Sequence, residues 1–326
     1  ETRRWLQIGH IAGHGHRAEP LTLSPRAPWT WLPGANWPAP RLALPNTQRA
    51  TLSSPWPSLW LAAGRRSAPY TAAVRGWSGN KTLTVQILDP KCDPEKFDLV
   101  VVPEHDELIG LNVIRATGSP THFSEDAIEE AGQAFADLAD ERGKSAVVIL
   151  GGKSKTHMFS REAATQLIQQ MEDLASSGWR LRITCSRRTP VAIVTDMRQF
   201  ADRIGASFWA NEHDGPNPYL AWLLYSDAAI VTEDSANMLS DVAWHGLPLH
   251  IAKLKGGAAK FDRLHKSLVD RGCAKWFEGK LELWDYPPLR EAGRIADIII
   301  EKLLERHPQP ELSQIDTSKT AAPSWL

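Results

Sequence analysis

The chain has 326 residues, of which 42% are hydrophobic, and its formal net charge at pH 7 is −1. This size supports a large core and more than one domain, and the near-neutral charge argues against a dedicated nucleic-acid-binding protein, which would carry a basic excess. The three cysteines form neither a disulfide framework nor a metal knuckle, no stretch is long enough to span a membrane, and the N-terminus has no apolar signal core, so we expect a soluble, cytoplasmic protein.

A glycine-rich loop, which includes Gly9 and Gly13, follows the first predicted strand, residues 5–8. The loop resembles a dinucleotide-binding fingerprint. However, no helix opens after it and no acidic residue lies about 20 positions further on, so NAD binding is disfavoured. Three histidines lie between residues 10 and 16. A metal site there is also disfavoured, because no carboxylate or cysteine is grouped with them.

Tryptophan is unusually abundant, with 14 residues in the chain, and many of these lie among prolines between residues 29 and 77. Residues 24–57 are expected to form loops and one short helix. We interpret the tryptophans first as packing residues of the core and loops. The alternative is an apolar surface for a lipid-linked or membrane-bound partner, which would bring the protein to the inner face of a membrane.

Apolar runs predict four strands in the first half of the chain, at residues 59–63, 83–88, 99–102 and 113–117. Gly64, Arg65 and Arg66 follow the first of them, and arginine at the carboxyl end of a strand indicates an anionic ligand. A solvated loop or an interdomain salt bridge is the alternative. His105 and Asp106 follow the third strand and could act as a general base pair. The alternative is that they form an ordinary surface turn without a catalytic role.

Residues 118–125 look like a domain boundary, and a second series of alternating strands and helices begins after residue 144. Apolar runs predict strands at residues 146–150, 181–184, 207–209, 228–231 and 249–251. The periodicity predicts helices at residues 125–142, 160–175, 220–225, 235–245, 262–271 and 289–306. Alternation of strands with helices is typical of a parallel α/β sheet, which binds ligands at the carboxyl ends of its strands.

The turn Thr232-Glu233-Asp234-Ser235 joins the strand at 228–231 to the helix that follows it. Backbone N–H groups that open this helix would attract a phosphate, but two neighbouring carboxylates would repel it. A ligand with both a ribose and a diphosphate resolves this conflict, because Glu233 or Asp234 can accept the ribose diol while the helix end binds the diphosphate. The alternative is that Asp234 or Ser235 only caps the helix.

Three more loops of the second half follow predicted strands, at residues 151–156, 186–189 and 255–260. They contain glycine, hydroxyl and basic residues, although 151–156 lacks the spacing of a P-loop. Together with the turn at 232–235, they form a predicted site for a nucleoside diphosphate at one edge of one sheet. The further candidate nucleotide-binding residues are Gly151, Gly152, Ser154, Ser186, Arg187, Arg188, Thr189, Met238 and Lys260.

Several motifs resemble the mitochondrial-fission ELM family over nearly the whole chain. They include GRRSAP (64–69), FDLVVVPEHD (97–106), SRRTP (186–190) and the long stretch 217–251 with its EDS motif. Bacterial members of this family are often labelled nucleoside-diphosphate-sugar epimerases. The family is similar to GT-B glycosyltransferases, which implies an α/β fold with two Rossmann-like domains facing each other across a cleft. It also implies that the second domain holds most of the nucleotide and that the last helix crosses back to the first domain.

The resemblance implies a first domain at residues 1–123, a nucleotide-binding domain at 124–288, a returning helix at 289–306 and a tail at 307–326. The family's first loop usually reads GHKAG followed by polar residues and a helix, and here only its start, residues 9–13, matches. In a fold with two domains facing each other, the sugar or acceptor lies opposite the bound nucleotide. On that side of the cleft we place Gly9, Gly13, Gly64, Arg65, Arg66, Asn217 and Tyr219.

The function expected from the residues and the resemblance together is a glycosyltransferase that uses a nucleotide-activated sugar, with no metal and no cofactor. Arg187, Arg188 and Lys260 would stabilise charge on the leaving group, and His10 or His105 would activate the acceptor hydroxyl. The expected partners are a nucleoside-diphosphate or nucleoside-monophosphate sugar and an acceptor glycan or lipid-linked glycan. The alternatives are a non-catalytic nucleotide-sugar-binding or scaffold protein and, third, a sugar epimerase, which would need NAD or a catalytic group tied to the nucleotide.

Overall fold

A computed structural model describes residues 21–32, 37–121, 123, 125–141 and 143–308 of the chain. The predicted strand at 5–8, Gly9, His10, Gly13 and the end of the tail lie outside these residues. The strands are β1 (Leu59–Ala63), β2 (Leu83–Ile87), β3 (Leu99–Pro103), β4 (Val113–Ala116), β5 (Ser145–Leu150), β6 (His157–Met158), β7 (Arg180–Cys185), β8 (Ser207–Trp209), β9 (Ala228–Thr232), β10 (Leu249–Ala252), β11 (Lys255–Gly256) and β12 (Ala274–Trp276). The α-helices are α1 (Asn46–Arg49), α2 (Ala68–Trp77), α3 (Glu125–Ala134), α4 (Arg161–Ser176), α5 (Val191–Ile204), α6 (Tyr219–Leu224), α7 (Ala236–His245), α8 (Ala259–Asp270) and α9 (Glu291–Arg306).

The first sheet is parallel and has the strand order β1-β2-β3-β4. Every residue of β2 and β3 is buried, as expected of central strands covered on both faces. The four strands predicted between residues 59 and 117 are therefore confirmed, each to within one residue at its ends.

The second sheet is also parallel, and its strand order is β12-β10-β9-β5-β7-β8. From β5 the chain builds outward through β7 to β8, and it then returns to the other side of β5 to build β9, β10 and β12. The strand order thus reverses beside β5. Such a reversal leaves a crevice at the carboxyl ends of the strands, which is where open α/β sheets bind ligands.

Helices cover both faces of the second sheet. Leu167 and Met171 of α4 pack with residues of α5 in the core on one face, and Leu239 of α7 packs with Leu264 of α8 in the core on the other. Gly246 ends α7 in the left-handed conformation, with φ +77°, which suits a glycine at this position. The sheets and their helical layers confirm the predicted α/β fold.

One predicted helix is shorter than expected. The periodicity predicted a continuous helix from residue 125 to 142, but α3 ends at Ala134 and a short 3₁₀ helix follows at Ala136–Asp140. Phe135 separates the two with non-helical φ and ψ angles of −129° and 39°. The apolar face is thus carried by two segments, which is a difference that amphipathic spacing alone does not reveal.

The last helix, α9, returns to the first sheet, as the fold prediction required. Its apolar face includes Ile295, Ile299 and Leu303 and packs against residues of β2 and β3. At the end of α9, the guanidinium of Arg306 donates to both carboxylate oxygens of Asp98, at 2.7 and 2.8 Å. Apolar burial and this ion pair together fix α9 on the first sheet.

Residues 21–32 and 37–58 form an irregular layer over α2. It contains α1 and two 3₁₀ helices, Trp29–Trp31 and Pro40–Ala43. Its core includes Trp37 and Tyr70, whose rings meet edge to face with centroids 5.7 Å apart. Of the helices in the described part of the chain, none combines the length and apolarity needed to cross a membrane.

Candidate functional site

A cleft of about 1390 Å³ lies between the two sheets. On the side of the second sheet it is lined by residues at the carboxyl ends of β5, β7, β8 and β9, which are the strands around the reversal of strand order. On the opposite side it is lined by Leu88, Pro103 and His105, which follow or end β2 and β3, and by the linker residues Ser119 and Pro120. The two halves of the chain therefore build one site.

Helix α7 points its N-terminus into this cleft. Ser235 is the N-cap residue, with extended φ and ψ angles of −129° and 98°, and among the residues described its side chain makes no capping hydrogen bond. Ala236, Asn237 and Met238 of the first turn line the cleft. The N–H groups of a first helical turn have no partner within the helix, so this end of α7 attracts anions.

Asp234 belongs to the wall of the cleft. Its carboxylate is fully buried and accepts hydrogen bonds from Gly152 N at 3.0 Å, Thr232 Oγ1 at 2.8 Å and Arg188 Nη2 at 3.2 Å. It therefore joins the loops that follow β5, β7 and β9. Because these bonds occupy it, Asp234 does not present the free carboxylate that was expected for a ribose.

Glu233 points away from the cleft and does not line it. Its Oε1 accepts from Leu254 N at 2.6 Å, and its Oε2 lies 3.9 Å from Nδ1 of His265. Burial raises the pKa of Glu233 and lowers the pKa of His265. In this structure neither carboxylate of the turn is available to a ribose in the cleft, because one stabilises the wall and the other supports the loop after β10.

The polar groups of the loop after β5 also form hydrogen bonds within the protein and do not face the cleft. Gly151 N donates to Thr232 Oγ1 at 2.7 Å, and Gly152 N donates to Asp234. Ser154 Oγ accepts from two backbone N–H groups of its own turn. The expectation that these residues bind a diphosphate is therefore corrected, because their polar groups are used inside the protein.

The loop after β7 contributes basic residues to the cleft. Ser186, Arg187 and Arg188 line it, whereas Thr189 is buried behind them and donates to Leu150 O at 3.1 Å. Arg187 is exposed and forms no ion pair with any residue that the structure describes. Lys260 of α8 also lines the cleft, with its Nζ 3.8 Å from a carboxylate oxygen of Asp106. Three cationic side chains therefore border the cleft, of which Arg188 and Lys260 are paired with carboxylates.

His105 lies at the cleft on the side of the first sheet. It is only 4% exposed, and neither ring nitrogen has a hydrogen-bond partner among the described residues. The carboxylate of Asp106 is 3.9 Å from Nε2, beyond hydrogen-bonding distance. Burial, assisted by the charge of Lys260, lowers the pKa of His105 to about 4. The ring is therefore neutral at pH 7 and can accept a proton.

The main chain of His105 is held by the opposite half of the molecule. Arg263 of α8 donates to the carbonyl oxygen of His105 from both Nε and Nη2, at 2.9 and 2.8 Å. The neighbouring Glu104 accepts from Ser267 at 2.6 Å and from Arg271 at 2.7 Å. Helix α8 thus positions the loop that carries His105, a contact that the sequence did not indicate.

Asn217 and Tyr219, which are predicted on the sugar or acceptor side, both line the cleft. Tyr219 donates from its hydroxyl to Asp241 Oδ2 at 3.0 Å, and Thr121 of the linker donates to the other oxygen at 2.7 Å. Asp241 therefore joins α6 and α7 to the linker between the two halves. Its role in this network was not foreseen, because residue 121 is far from it in sequence.

Gly64, Arg65 and Arg66 do not line the cleft. They follow β1, which is the edge strand of the first sheet among the residues described, whereas the cleft is formed at the ends of β2 and β3. These three residues were predicted on the sugar side of the cleft, and the structure places them outside it. A strand-end position was a correct inference, but the order of the strands decides which ends face the second sheet.

The loop after β8 was missed by the sequence analysis. Trp209, Asn211, Glu212 and His213 all line the cleft. Asp214 fixes this loop by accepting from Ala210 N at 2.8 Å and from Arg198. The available signal was the predicted strand at 207–209, whose carboxyl end shares an edge with the other site loops.

The family model described as Mitochondrial fission ELM1 matches residues 9–303. Mitochondrial fission protein ELM1 of Arabidopsis thaliana is 25% identical over 289 residues, which cover 80% of this chain and 67% of the plant protein. An uncharacterized protein of Rickettsia prowazekii (strain Madrid E) is 25% identical over 280 residues, which cover 74% of this chain and 79% of that protein. The structure of UDP-GlcNAc 2-epimerase from Neisseria meningitidis bound to UDP-GlcNAc aligns with a TM-score of 0.47 and 12% identity, over 76% of each chain. Because the family model covers most of its length, the chain belongs to the mitochondrial fission ELM1 family.

Proposed function

We propose that this chain is a GT-B-like glycosyltransferase that uses a nucleotide-activated sugar. The observation that carries the proposal is the cleft itself. The open N-terminus of α7 and the basic residues Arg187, Arg188 and Lys260 line this cleft, and so does His105, whose buried ring has no hydrogen-bond partner in the described part of the chain. A ligand with a dense negative charge next to a hydroxyl-bearing group fits this combination.

In this proposal the diphosphate of the donor lies at the N-terminus of α7. The cations of Arg187, Arg188 and Lys260 stabilise the charge that develops on the leaving nucleoside diphosphate, so the chemistry does not require a metal ion for that purpose. The nucleoside extends toward the loop after β8. There the ring of Trp209 offers a face for the base, and Glu212 offers a carboxylate for the ribose hydroxyls.

The acceptor, a glycan or a lipid-linked glycan, approaches from the side of the first sheet. A ring nitrogen of His105 takes the proton of the acceptor hydroxyl while that oxygen attacks the anomeric carbon. The bond from this carbon to the diphosphate breaks, and the nucleoside diphosphate leaves with the bonding electrons. The negative charge of the bound donor raises the pKa of His105 above its value in the empty cleft, which makes the ring a better base.

Calorimetry of the full chain with a panel of nucleoside diphosphates tests the binding step. Arg187→Gln should weaken the best ligand about 10- to 100-fold, because it removes a charge-assisted hydrogen bond. Binding should persist in the presence of a chelator. The matched control is Arg203→Gln on α5, which removes an exposed arginine paired with Glu172 outside the cleft. Absence of binding by the wild-type chain, or equal loss in both variants, contradicts the proposal.

Turnover is tested by incubation with nucleotide sugars and an acceptor mixture, with release of nucleoside diphosphate as the readout. His105→Gln should abolish release while leaving the calorimetric affinity within a few-fold of wild type.

The second candidate function is a nucleotide-sugar-binding protein without turnover. It is favoured by the pKa of His105, since a group with a pKa of about 4 is a weak base. Tight binding with no release from any donor supports this second function.

A further inference from the structure

The charge of the chain is unevenly distributed. Residues 20–88 contain seven arginine or lysine residues and no aspartate or glutamate, although the whole chain has 38 acidic and 37 basic residues. Six of the 14 tryptophans lie in the same segment. Such a bias within a chain of nearly zero net charge makes this segment locally positive.

We call residues 21–32 and 37–58 the tryptophan lobe. Its two parts are joined by a hydrogen bond from Arg26 N to Ala43 O at 2.8 Å, so they form one layer. Trp31, in the first 3₁₀ helix of the lobe, is 79% exposed, and Leu42, in the second, is 55% exposed. Large apolar side chains are therefore presented to solvent on short, packed helices.

The exposed apolar residues are accompanied by cations. Arg26 is exposed, and Arg49 donates from Nη2 to the carbonyl oxygen of Leu42 at 3.3 Å, which holds its charge beside that residue. The guanidinium of Arg41 lies 4.2 Å from the centroid of the Trp77 ring. In the described part of the chain none of these three arginines pairs with a carboxylate, so their charges remain available to an external anion.

We propose that the tryptophan lobe docks on an anionic lipid bilayer. Tryptophan favours the interface between headgroups and acyl chains, and leucine enters the apolar side of it. Basic residues close to an anionic membrane add electrostatic attraction. The core of Trp37, Leu44 and Leu52 beneath the surface holds these residues in place, which reduces the entropy lost on binding.

Two other occupants fit less well. A second copy of the chain would bring two acid-free basic surfaces together, and like charges at close range repel. A nucleic acid would use the arginines, but exposed leucines such as Leu42 contribute little to phosphate or base recognition. An anionic bilayer matches both the charge and the aliphatic side chains. The proposal is independent of the nucleotide cleft and of any turnover there.

Sedimentation of the full chain with vesicles tests the docking. Binding should be at least about tenfold stronger to vesicles with 30% phosphatidylglycerol in phosphatidylcholine than to phosphatidylcholine alone, and should weaken as salt increases. Arg26→Glu should lower the partition coefficient about tenfold, and Leu42→Ala should lower it about three- to tenfold. The matched controls are Lys280→Glu and Leu283→Ala in the second half of the chain, where Leu283 is 49% exposed.

Equal binding to the two vesicle types, or equal effects of the lobe and control variants, overturns the proposal. Two further measurements assign a different occupant. If Trp31→Ala converts a dimer to a monomer in sedimentation without vesicles, the lobe binds a second copy of the chain. If the lobe variants lose affinity for a single-stranded RNA and not for vesicles, it binds nucleic acid. Because vesicle binding and nucleotide calorimetry are separate measurements, the failure of one proposal leaves the other intact.

Discussion

Gly152 shows how a single residue shapes the cleft wall. A Cβ atom at this position would lie 2.0 Å from the backbone oxygen of Arg188, and one at Gly151 would lie 2.0 Å from a carboxylate oxygen of Asp234. Glycine is therefore required for the close approach of the loops after β5, β7 and β9. The residue type was singled out from the sequence as a phosphate-binding feature, whereas its function in this structure is packing.

Gly152→Ala should destabilise the protein by more than about 2 kcal/mol, because the clash is with backbone and no side chain can move aside. The matched control is Gly76→Ala in α2, where a Cβ meets no atom within 4 Å. This change should stabilise the protein by about 0.5–1 kcal/mol through helix propensity. Urea unfolding of both variants gives the free energies, and a Gly152→Ala variant as stable as wild type would show that the loops can separate.

Asp234 and Glu233 illustrate the limit of reading function from residue type. One of the two carboxylates at this strand end was expected to accept the ribose hydroxyls of a ligand. Which of them faces the ligand depends on side-chain direction, and in the structure Asp234 turns into the wall while Glu233 turns toward Leu254. Side-chain directions at the end of a strand are set by distant loops, so adjacent residues of the same type cannot be distinguished locally.

At the scale of elements, α9 is the segment whose position was inferred most directly. Its apolar periodicity predicted an amphipathic helix, and the fold resemblance placed it on the first sheet, where it packs. The helix is long enough to contribute a full apolar face, with Ile299 almost completely buried on it. This burial makes α9 part of the core of the first half, even though it is distant in sequence.

Ile299→Ala should destabilise the protein by about 2–4 kcal/mol, because it leaves a cavity between α9 and the first sheet. Leu304→Ala on the same helix is the control, since Leu304 is exposed and its truncation should change stability by less than about 0.5 kcal/mol. Chemical denaturation monitored by circular dichroism measures both. Similar losses in the two variants would mean that α9 is not packed on the sheet as described.

Short and irregular elements were predicted less well. The antiparallel pair of β6 and β11 and the edge strand β12 were not recognised, because two or three residues do not establish a period. The break of the predicted helix at Phe135 was missed for a related reason, since a 3₁₀ segment preserves much of the helical spacing.

At the scale of the whole molecule, polar contacts hold both ends of the passage from the first half to the second. Thr117 N, just after β4, donates to Glu291 of α9 at 3.0 Å, and Ser119 N of the linker donates to Ser240 of α7 at 2.8 Å. With the contacts of α8 to Glu104 and His105, they bring His105 toward the N-terminus of α7. The cleft is therefore a property of the assembled halves.

Stability should fall in mild acid. Burial is the main cause that lowers the pKa of His105, His245 and His250 to about 4. The unfolded chain binds these protons as pH falls below about 6.5, whereas the folded protein binds them only near 4. Folding stability is therefore full above about pH 6.5 and is lost between there and pH 4, with a slope of at most about 4 kcal/mol per pH unit for these three protons. The lowered pKa of His265 adds to the loss in the same direction.

Urea unfolding at pH 7.5, 6.0 and 5.0 checks this expectation. His250→Gln should reduce the change of the unfolding free energy with pH by up to about one third, because one of the three titrating histidines is lost. The raised pKa of Glu233 acts in the opposite direction, and the lowered pKa of Asp98 matters only below the acid end of this range. Constant stability between pH 7.5 and 5.0 would show that the three rings are accessible to water in the folded protein.

The sequence by itself determined the α/β class, nearly all of the long strands and the edge of the second sheet that carries polar loops. These features follow from local apolar runs, periodicity and turn residues, which neighbouring positions encode. Only the tertiary structure decided that the loop after β8 lines the cleft, that Arg65 and Arg66 do not, and that the buried ring of His105 has no hydrogen-bond partner among the residues described. The physical reason is that strand order and the packing of one half against the other determine which groups meet, and those contacts join residues that are far apart in the chain.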